Sequence, residues 1–375
     1  MNETLLIVAD SERDANMLYA VGLFVPDPFI YLNFGGRPVI VMSDLEIDRA
    51  RAQVPHCRVL SLSAYQRKLR AAGTKKAGLP HVVRLLLRER KIRRALVPDN
   101  FPLGLARDLK KLGIKLKPQA GFFPGREIKS ADEVKKISAA LAMAEVGMAE
   151  GMEVLRRAKI ARDRKLIHHG VPLTSERLRA VIDCAILQAN GLAANTIVAG
   201  GRQGCDPHER GHGPLRAHEP IIIDIFPRSQ KTGYFGDITR TVVRGHASEG
   251  VRKLYATVLQ GQKIAFEKVR ARVITAEVHK AVQQFFIQQG YKTGRRNGRM
   301  EGFFHGTGHG LGLEIHEAPR VGVTSTEKLK PGHVVTVEPG LYYPELGGGV
   351  RLEDVALVTG NGAKNLTRFE KVLEI

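Results

Sequence analysis

The sequence predicts a small α/β domain followed by a larger α+β domain, and three observations predict it. Short β-rich runs alternate with helical segments over the first third of the chain, as in a domain built on a mostly parallel sheet. A break follows at Phe123-Pro124-Gly125. Beyond it a helix–helix–strand–strand plan occurs twice, which points to internally duplicated halves. A length of 375 residues suits two domains, and their expected limits are 1–125 and 126–375.

In the first domain Leu5–Val8, Phe29–Leu32, Pro38–Met42, Arg58–Leu62 and Ala95–Val97 read as strands. The segments around His81–Arg90 and Leu103–Leu112 read as helices. In the second domain Ser130-Ala131-Asp132-Glu133 has the pattern of a capping box. Val134, Ile137, Leu141, Met148, Met152 and Leu155 then recur on one face of a long helix. A second helix runs from near Thr174 through Leu187. Strands are expected at Ile221–Ile225 and Asp237–Val243, helices at Ser248–Arg270 and Thr275–Gln289, and strands again at Val334–Glu338 and Gly349–Val358.

Composition narrows the function classes. Three scattered cysteines, Cys57, Cys184 and Cys205, give no metal-type spacing and no disulfide framework, so a reducing compartment is expected. The N-terminal segment lacks the basic start and long apolar core of a signal peptide. No apolar stretch approaches the roughly 20 residues of a membrane span, so the protein is expected in the cytoplasm without membrane contact. Fifty-eight basic against 38 acidic residues leave a net charge of +20, which favours non-specific contact with anionic surfaces. The basic residues are dispersed, however. The run Arg88–Arg94 reads as the solvated face of a helix, and Arg295–Arg299 as a loop. Neither is interleaved with aromatics as in a single-strand binder, so no specific nucleic-acid partner is expected.

Chemistry concentrates in five segments of the second domain. Ile221-Ile222-Ile223-Asp224-Ile225 sets a carboxylate in an apolar strand, where burial demands a neutralising cation or metal. Gly236-Asp237-Ile238-Thr239 supplies a second carboxylate, and Val337-Glu338-Pro339 ends an apolar strand on a third. Arg351 and Glu353 share one face of a predicted strand, with Asp354 opposite. The stretch from Phe304 to Glu317 carries His305, His309 and His316 among glycines that permit close backbone approach. Each segment alone has an ordinary structural explanation: an arginine partner for a lone Asp, a turn for a His-Gly pair. Together, four carboxylates and one imidazole suit a pair of Mn²⁺, Co²⁺, Fe²⁺ or Zn²⁺ ions.

These segments resemble the signature of the pita-bread metallopeptidases, the group of methionine aminopeptidase, aminopeptidase P, prolidase and creatinase. The family ligand order Asp, Asp, His, Glu, Glu is matched in order by Asp224, Asp237, His309, Glu338 and Glu353. The resemblance covers about residues 126–375 and implies a pita-bread catalytic domain. Residues 1–125 resemble the creatinase-type domain of prolidases and aminopeptidases P, which methionine aminopeptidases lack. It implies that Asp224 holds one ion, that His309 and Glu338 hold the other, and that Asp237 and Glu353 bridge the pair, with Mn²⁺ the foremost choice. His316 matches the histidine that hydrogen-bonds the tetrahedral intermediate, His305 one lining the substrate side, and His208 the upstream catalytic histidine, with His212 a weaker match. Glu338 is expected to shuttle the proton. Arg351 and Thr239 are expected to orient bridging carboxylates. One departure stands out: Asp224-Ile225-Phe226 replaces the usual Asp-x-Gly and lengthens the gap to Asp237 by about two residues, an insertion a loop absorbs cheaply. It alters the neighbouring pocket wall.

The resemblance implies hydrolysis of the bond preceding proline, foremost as an Xaa-Pro aminopeptidase and alternatively as a dipeptidase (prolidase), in a homodimer. A non-catalytic pita-bread module that binds nucleic acid or a protein is the third reading. The retention of all five ligand types speaks against it.

Overall fold

The alternating runs of the first third close into one six-stranded sheet. Its strands are β1 (Leu5–Ala9), β2 (Phe29–Asn33), β3 (Val39–Met42), β4 (Arg58–Ser61), β5 (Arg94–Pro98) and β6 (Lys115–Gln119), in the order β4-β3-β2-β1-β5-β6. The computed structural model describes residues 3–375 and divides after Pro124 into two compact units. Helices α1 (Ala15–Val21), α2 (Ile47–Gln53), α3 (Leu62–Ala71), α4 (Leu79–Glu89) and α5 (Leu103–Lys111) flank the sheet. Met17, Val21, Ile47 and Ala50 cover one face, and Val82, Val83, Leu86 and Leu109 the other.

The sheet is mixed. β2 runs antiparallel to both β1 and β3, while β3–β4, β1–β5 and β5–β6 are parallel. A short turn through Gly35 and Gly36 joins β2 to β3, too little chain for the crossover a parallel pair needs. The charged edge strand β6, Lys-Leu-Lys-Pro-Gln, carries little apolar signal and escapes a reading by hydrophobic pattern. The Arg88–Arg94 run does not continue one helix face. α4 ends at Glu89, Arg90 lies 4.3 Å over the Phe34 ring, and Arg94 opens β5.

In the second unit Ser130 caps α6 (Ala131–Arg157), accepting from Glu133 N while Glu133 accepts from Ser130 N. α6 packs against α7 (Ser175–Gln188), and α8 (Glu249–Lys268) packs against α9 (Thr275–Gln288). Each pair leads to a sheet. The first holds Ile197–Gly200, Pro220–Ile225 and Ile238–Val243, all antiparallel. The second is ordered Glu317–Val321, Gly308–Gly310, Val334–Val337, Asp354–Val358, Ala363–Asn365. The duplicated plan is therefore present, enlarged by strands the periodicity did not mark.

Two segments differ from their sequence reading. Arg295–Arg299 is a hairpin, with Gly294–Arg296 paired to Arg299–Glu301. Asn297 and Gly298 at φ 50° and 78° form its turn, the left-handed pair a two-residue hairpin requires. Gly349–Val358 is two strands. Gly348–Arg351 pairs with Gly340–Tyr343, whereas Asp354–Val358 pairs with Val334–Val337. Between them Glu353 N donates to Thr239 O at 3.1 Å, drawing the chain out of one ladder and toward the first sheet.

Glycines let these strands close on one another. A Cβ on Gly308 would lie 1.9 Å from Thr336 O, and one on Gly236 2.5 Å from the backbone of Ala140 in α6. Buried Glu317 fixes the loop that precedes it. Its Oε1 accepts from the backbone N–H of Leu313 and Glu314 at 3.0 and 3.1 Å. It pairs with Lys129 and Arg126, each at 2.6 Å.

Burial alone would raise the Glu317 carboxyl, but the charges and hydrogen bonds of Lys129 and Arg126 outweigh it and hold the carboxyl below its usual range. A depressed carboxylate contributes stability that is complete above the unfolded pKa, about 4.3, and is lost as pH falls through the folded value. Glu317→Gln, leaving buried Lys129 without its carboxylate while Arg126 keeps Glu314 at 2.6 Å, should cost about 3 kcal/mol at pH 7, or roughly 6–12 °C in the Tm of a domain the size of the second unit. Thermal melting should show that deficit shrinking below about pH 4; a deficit independent of pH would contradict the account.

Candidate metal centre

Strand ends from both halves of the second unit deliver the five predicted ligands to one cavity of about 600 Å³. Asp224 lies near the end of Pro220–Ile225, directly opposite Thr239 on the neighbouring strand. Asp237 immediately precedes Ile238–Val243, Glu338 immediately follows Val334–Val337, and Glu353 sits in the crossing between two strands. His309 is central in Gly308–Gly310. Gln262 of α8 holds the crossing in place by donating to Val337 O and Leu352 O at 3.0 and 3.1 Å.

The donor atoms of Asp237, His309 and Glu353 lie within 4.8 Å of one another. His309 Nδ1 is 3.1 Å from Gly310 O; a carbonyl only accepts, so this nitrogen donates. Nε2 therefore faces Glu338 Oε1 at 3.2 Å and Asp237 Oδ2 at 3.8 Å. Asp224 Oδ2 accepts from Arg351 Nη2 at 2.7 Å. Among the described residues, Asp224 Oδ1 and Glu353 Oε1 are buried without a hydrogen-bond partner. Orphaned carboxylate oxygens of this kind are costly. Oxygen donors around a single imidazole, two of them unsatisfied, fit a divalent cation.

Electrostatics point the same way. Burial, followed by repulsion from Asp224 and Glu338, pushes the Asp237 carboxyl well above its usual range. Burial and then Asp237 do the same to Glu353. Glu338 is driven the other way: burial opposes ionisation, but the hydrogen bond and charge of His309 prevail.

A hydrogen-bonded chain supports these groups. Thr239 Oγ1 donates to Glu353 Oε2 at 2.8 Å, and Thr336 Oγ1 donates to Glu338 Oε1 at 3.1 Å while accepting from His309 N. Arg351 donates to Asp224, to Thr239 Oγ1 at 3.4 Å, and through Nη1 to Tyr342 Oη at 3.0 Å. Tyr342 Oη in turn lies 2.8 Å from His305 Nε2, and His305 Nδ1 lies 2.7 Å from Gly306 O. The carbonyl accepts, so Nδ1 carries the proton and Nε2 accepts from tyrosine. Burial pushes the His305 pKa down to about 4, so the ring is neutral at pH 7. Both its nitrogens are spent on the protein.

His316 stands at the cavity wall, its ring 4.4 Å from that of His309 and nearly perpendicular. Partial burial, then His309, lowers its pKa to about 4. His208 lines the same cavity, as do Phe226 of the lengthened loop and Arg320. His212 faces a neighbouring cavity and lies 3.6 Å from Glu209. Thr336 and Tyr342 were missed in the sequence. Thr336 shares a strand face with Glu338 by spacing alone, a signal that was available. Nothing in Leu341-Tyr342-Tyr343 distinguishes the tyrosine that faces the site.

Carboxylates sheltered from water at this density make a cation's environment, set in a duplicated α+β domain. The chain belongs to Metallopeptidase family M24, whose sequence profile matches residues 135–360; membership implies divalent metal ions. It is 33% identical over 259 residues to the Xaa-Pro dipeptidase of Pyrococcus furiosus, spanning 66% of this chain and 65% of that protein. The prolidase structure from Pyrococcus horikoshii superposes with a TM-score of 0.79 at 26% identity, over 99% of this chain and 95% of that one. The X-Pro aminopeptidase structure from Thermotoga maritima gives a TM-score of 0.82 over 100% of this chain and 97% of that one, a likeness of fold at 21% identity. Among the described residues no helix is long and apolar enough to cross a membrane.

Raised carboxyl pKa values make the metal-free folded state bind more protons than the unfolded one. Its stability therefore falls as pH rises from the ordinary carboxylate range through the raised values. A cation displaces those protons, so its affinity should rise with pH and its binding should release protons. Asp237→Asn should stabilise the chelator-stripped protein at pH 7, by about 1–4 kcal/mol, yet abolish the Tm increase produced by Mn²⁺ in the wild type. Calorimetry in two buffers of different ionisation enthalpy and paired melts check both; a variant destabilised without metal and still stabilised by it would contradict the assignment.

Proposed function

We propose that the protein hydrolyses the peptide bond preceding proline as an Xaa-Pro aminopeptidase, using two divalent ions, Mn²⁺ foremost, in a homodimer. The convergence of Asp237, His309 and Glu353 donor atoms within 4.8 Å, beside Asp224 and Glu338, carries the reading. Asp224 would hold one ion, His309 and Glu338 the other, and Asp237 and Glu353 both. Bound there, divalent ions acidify a water and polarise a carbonyl. Glu338, kept ionised beside His309, takes the attacking water's proton and passes it to the departing nitrogen. Neutral His316 donates to the oxygen on which charge develops, and His208, which lines the same cavity, helps hold the scissile group. Thr239 bonds Glu353, one of the two carboxylates that would bridge the ions, whereas Arg351, expected to orient a bridging carboxylate, instead bonds Asp224, which would hold one ion. His305, with both nitrogens engaged, shapes the substrate side of the cavity.

One observation favours the dipeptidase alternative. Arg320 lines the cavity and would meet the free carboxylate that follows proline in a dipeptide. The P. furiosus relative is named an Xaa-Pro dipeptidase. Assaying Ala-Pro against Ala-Pro-Ala with Mn²⁺ or Co²⁺ added to chelator-stripped protein decides between them: cleavage of both supports the aminopeptidase, and Ala-Pro alone the dipeptidase. No cleavage of either would sink both.

The roles of ligand and donor separate by mutation. His316→Ala should keep its metal while kcat falls by about 10² or more, whereas Asp237→Ala should lose metal. Elemental analysis beside steady-state kinetics checks this, and the reverse pattern would overturn the roles.

A further inference from the structure

A second cavity, of about 940 Å³, opens beside the metal centre and shares Asp206, Pro207 and Phe304 with the first. Its walls are the 3₁₀ segment Gly201–Cys205 with the loop that follows, and the hairpin Gly294–Arg296/Arg299–Glu301. The base of the hairpin is stitched to the centre. Thr293 Oγ1 accepts from Phe303 N at 2.9 Å, and Tyr343 Oη donates to Lys292 O at 2.8 Å. Gly302 N donates to the carbonyl of Tyr342, whose side chain holds Arg351 and His305.

The charges in this groove are unevenly committed. Asp206 accepts from His208 N, and Glu209 accepts from Gly211 N. Glu345 pairs with Arg296 at 3.3 Å, and Glu301 is buried. Arg202 and Arg299 are exposed on the groove wall, and neither makes an ion pair or side-chain hydrogen bond among the described residues. Met300 and Phe304 give it an apolar floor. An anionic group entering here would meet two guanidinium groups that have no ion pair among the described residues, on a wall that also carries Asp206 and Glu209, so its placement must favour the arginine side of the groove.

We propose that this groove receives the part of a peptide that follows proline and recognises a carboxylate there through Arg202 and Arg299. The inference deepens the Xaa-Pro aminopeptidase reading and rests on it. An enzyme that removes one N-terminal residue has a single residue on one side of the scissile bond. Substrate extending into an adjoining groove therefore belongs to the other side. The carboxylate is an acidic side chain or the peptide's own C-terminus.

The protein has no tryptophan, so a tryptophan in the peptide reports binding directly by its fluorescence anisotropy. The probes are Ala-Pro-Trp-Glu-amide, Ala-Pro-Trp-Gln-amide and Ala-Pro-Trp-Gln with a free C-terminus. Binding is read on chelator-stripped protein and turnover on the Mn²⁺-loaded protein. The Glu-amide peptide should exceed the Gln-amide peptide by about 3- to 10-fold in affinity and in kcat/KM, through KM, as two exposed ion pairs supply. The ratio should approach one near 0.5 M salt and in Arg202→Gln/Arg299→Gln. Charge reversal to Glu at both positions should turn the preference toward Ala-Pro-Trp-Lys-amide. A gain by the free-acid peptide over its amide assigns the terminal carboxylate; a gain by Glu-amide alone assigns the side chain. Wild-type ratios of one in both comparisons, Glu-amide over Gln-amide and free acid over amide, or a preference that survives the double Gln variant, overturn the proposal. So does tight binding of single-stranded DNA through these arginines where the peptides fail to bind. If Ala-Pro is cleaved while the longer peptides are neither bound nor cleaved, the groove proposal falls and cleavage before proline stands. If nothing is cleaved while the arginine-dependent preference persists in binding, the groove stands and the Xaa-Pro reading falls.

Discussion

Four carboxylates cannot remain ionised side by side, sheltered from water, unless positive charge is set among them. Asp224, Asp237, Glu338 and Glu353 are in that position, and the second unit is organised around the consequence. One positive charge is built in: Arg351, itself buried, bonds Asp224. A second group, His309, turns Nε2 toward Glu338 and Asp237. What these leave uncompensated, including the oxygens of Asp224 and Glu353 without hydrogen-bond partners among the described residues, is negative charge that a divalent cation would offset. The fold thus carries a cost in its metal-free state that it would recover on binding.

The two halves share that load. Pro220–Ile225 and Ile238–Val243 bring Asp224 and Asp237 from the first sheet, while Gly308–Gly310 and Val334–Val337 bring His309 and Glu338 from the second. Glu353 lies where the chain crosses between ladders, tied to Thr239 by backbone and side chain alike. The alternation of side chains along Thr239-Arg240 divides the labour. Thr239 serves the site, while the adjacent Arg240, buried behind it, bonds Asp354 and the carbonyls of Glu353 and Phe369. A structural ion pair, Arg240 with Asp354, therefore lies one residue from supporting Thr239 on one strand and one residue from candidate ligand Glu353 on the other.

The basic excess of the chain has no counterpart inside this cavity, where carboxylates dominate. It lies outside, on surfaces such as the hairpin Gly294–Arg296/Arg299–Glu301, whose arginines are exposed. Solvated charge of this kind tunes what approaches the site, whereas the buried charges determine what is held there.

The strands Pro220–Ile225 and Val334–Val337 were legible because a carboxylate interrupts an apolar run, and α6 because a capping box and a 3.6-residue period coincide. Local chemistry of that kind is written in residue types and spacing. The first sheet is mostly parallel as expected, but the antiparallel placement of β2, the split of Gly349–Val358 and the Arg-rich hairpin were not legible, since strand pairing decides them. The same holds within the site. The sequence alone supplied the side chains proposed to bind a cation: Asp224, Asp237, His309, Glu338 and Glu353. Tertiary structure alone decided that Tyr342 links Arg351 to His305, that His305 has no nitrogen to spare and that Asp224 and Glu353 each keep an unsatisfied oxygen. Hydrogen bonding and desolvation depend on distances between strands, and those distances exist only once the chain has folded.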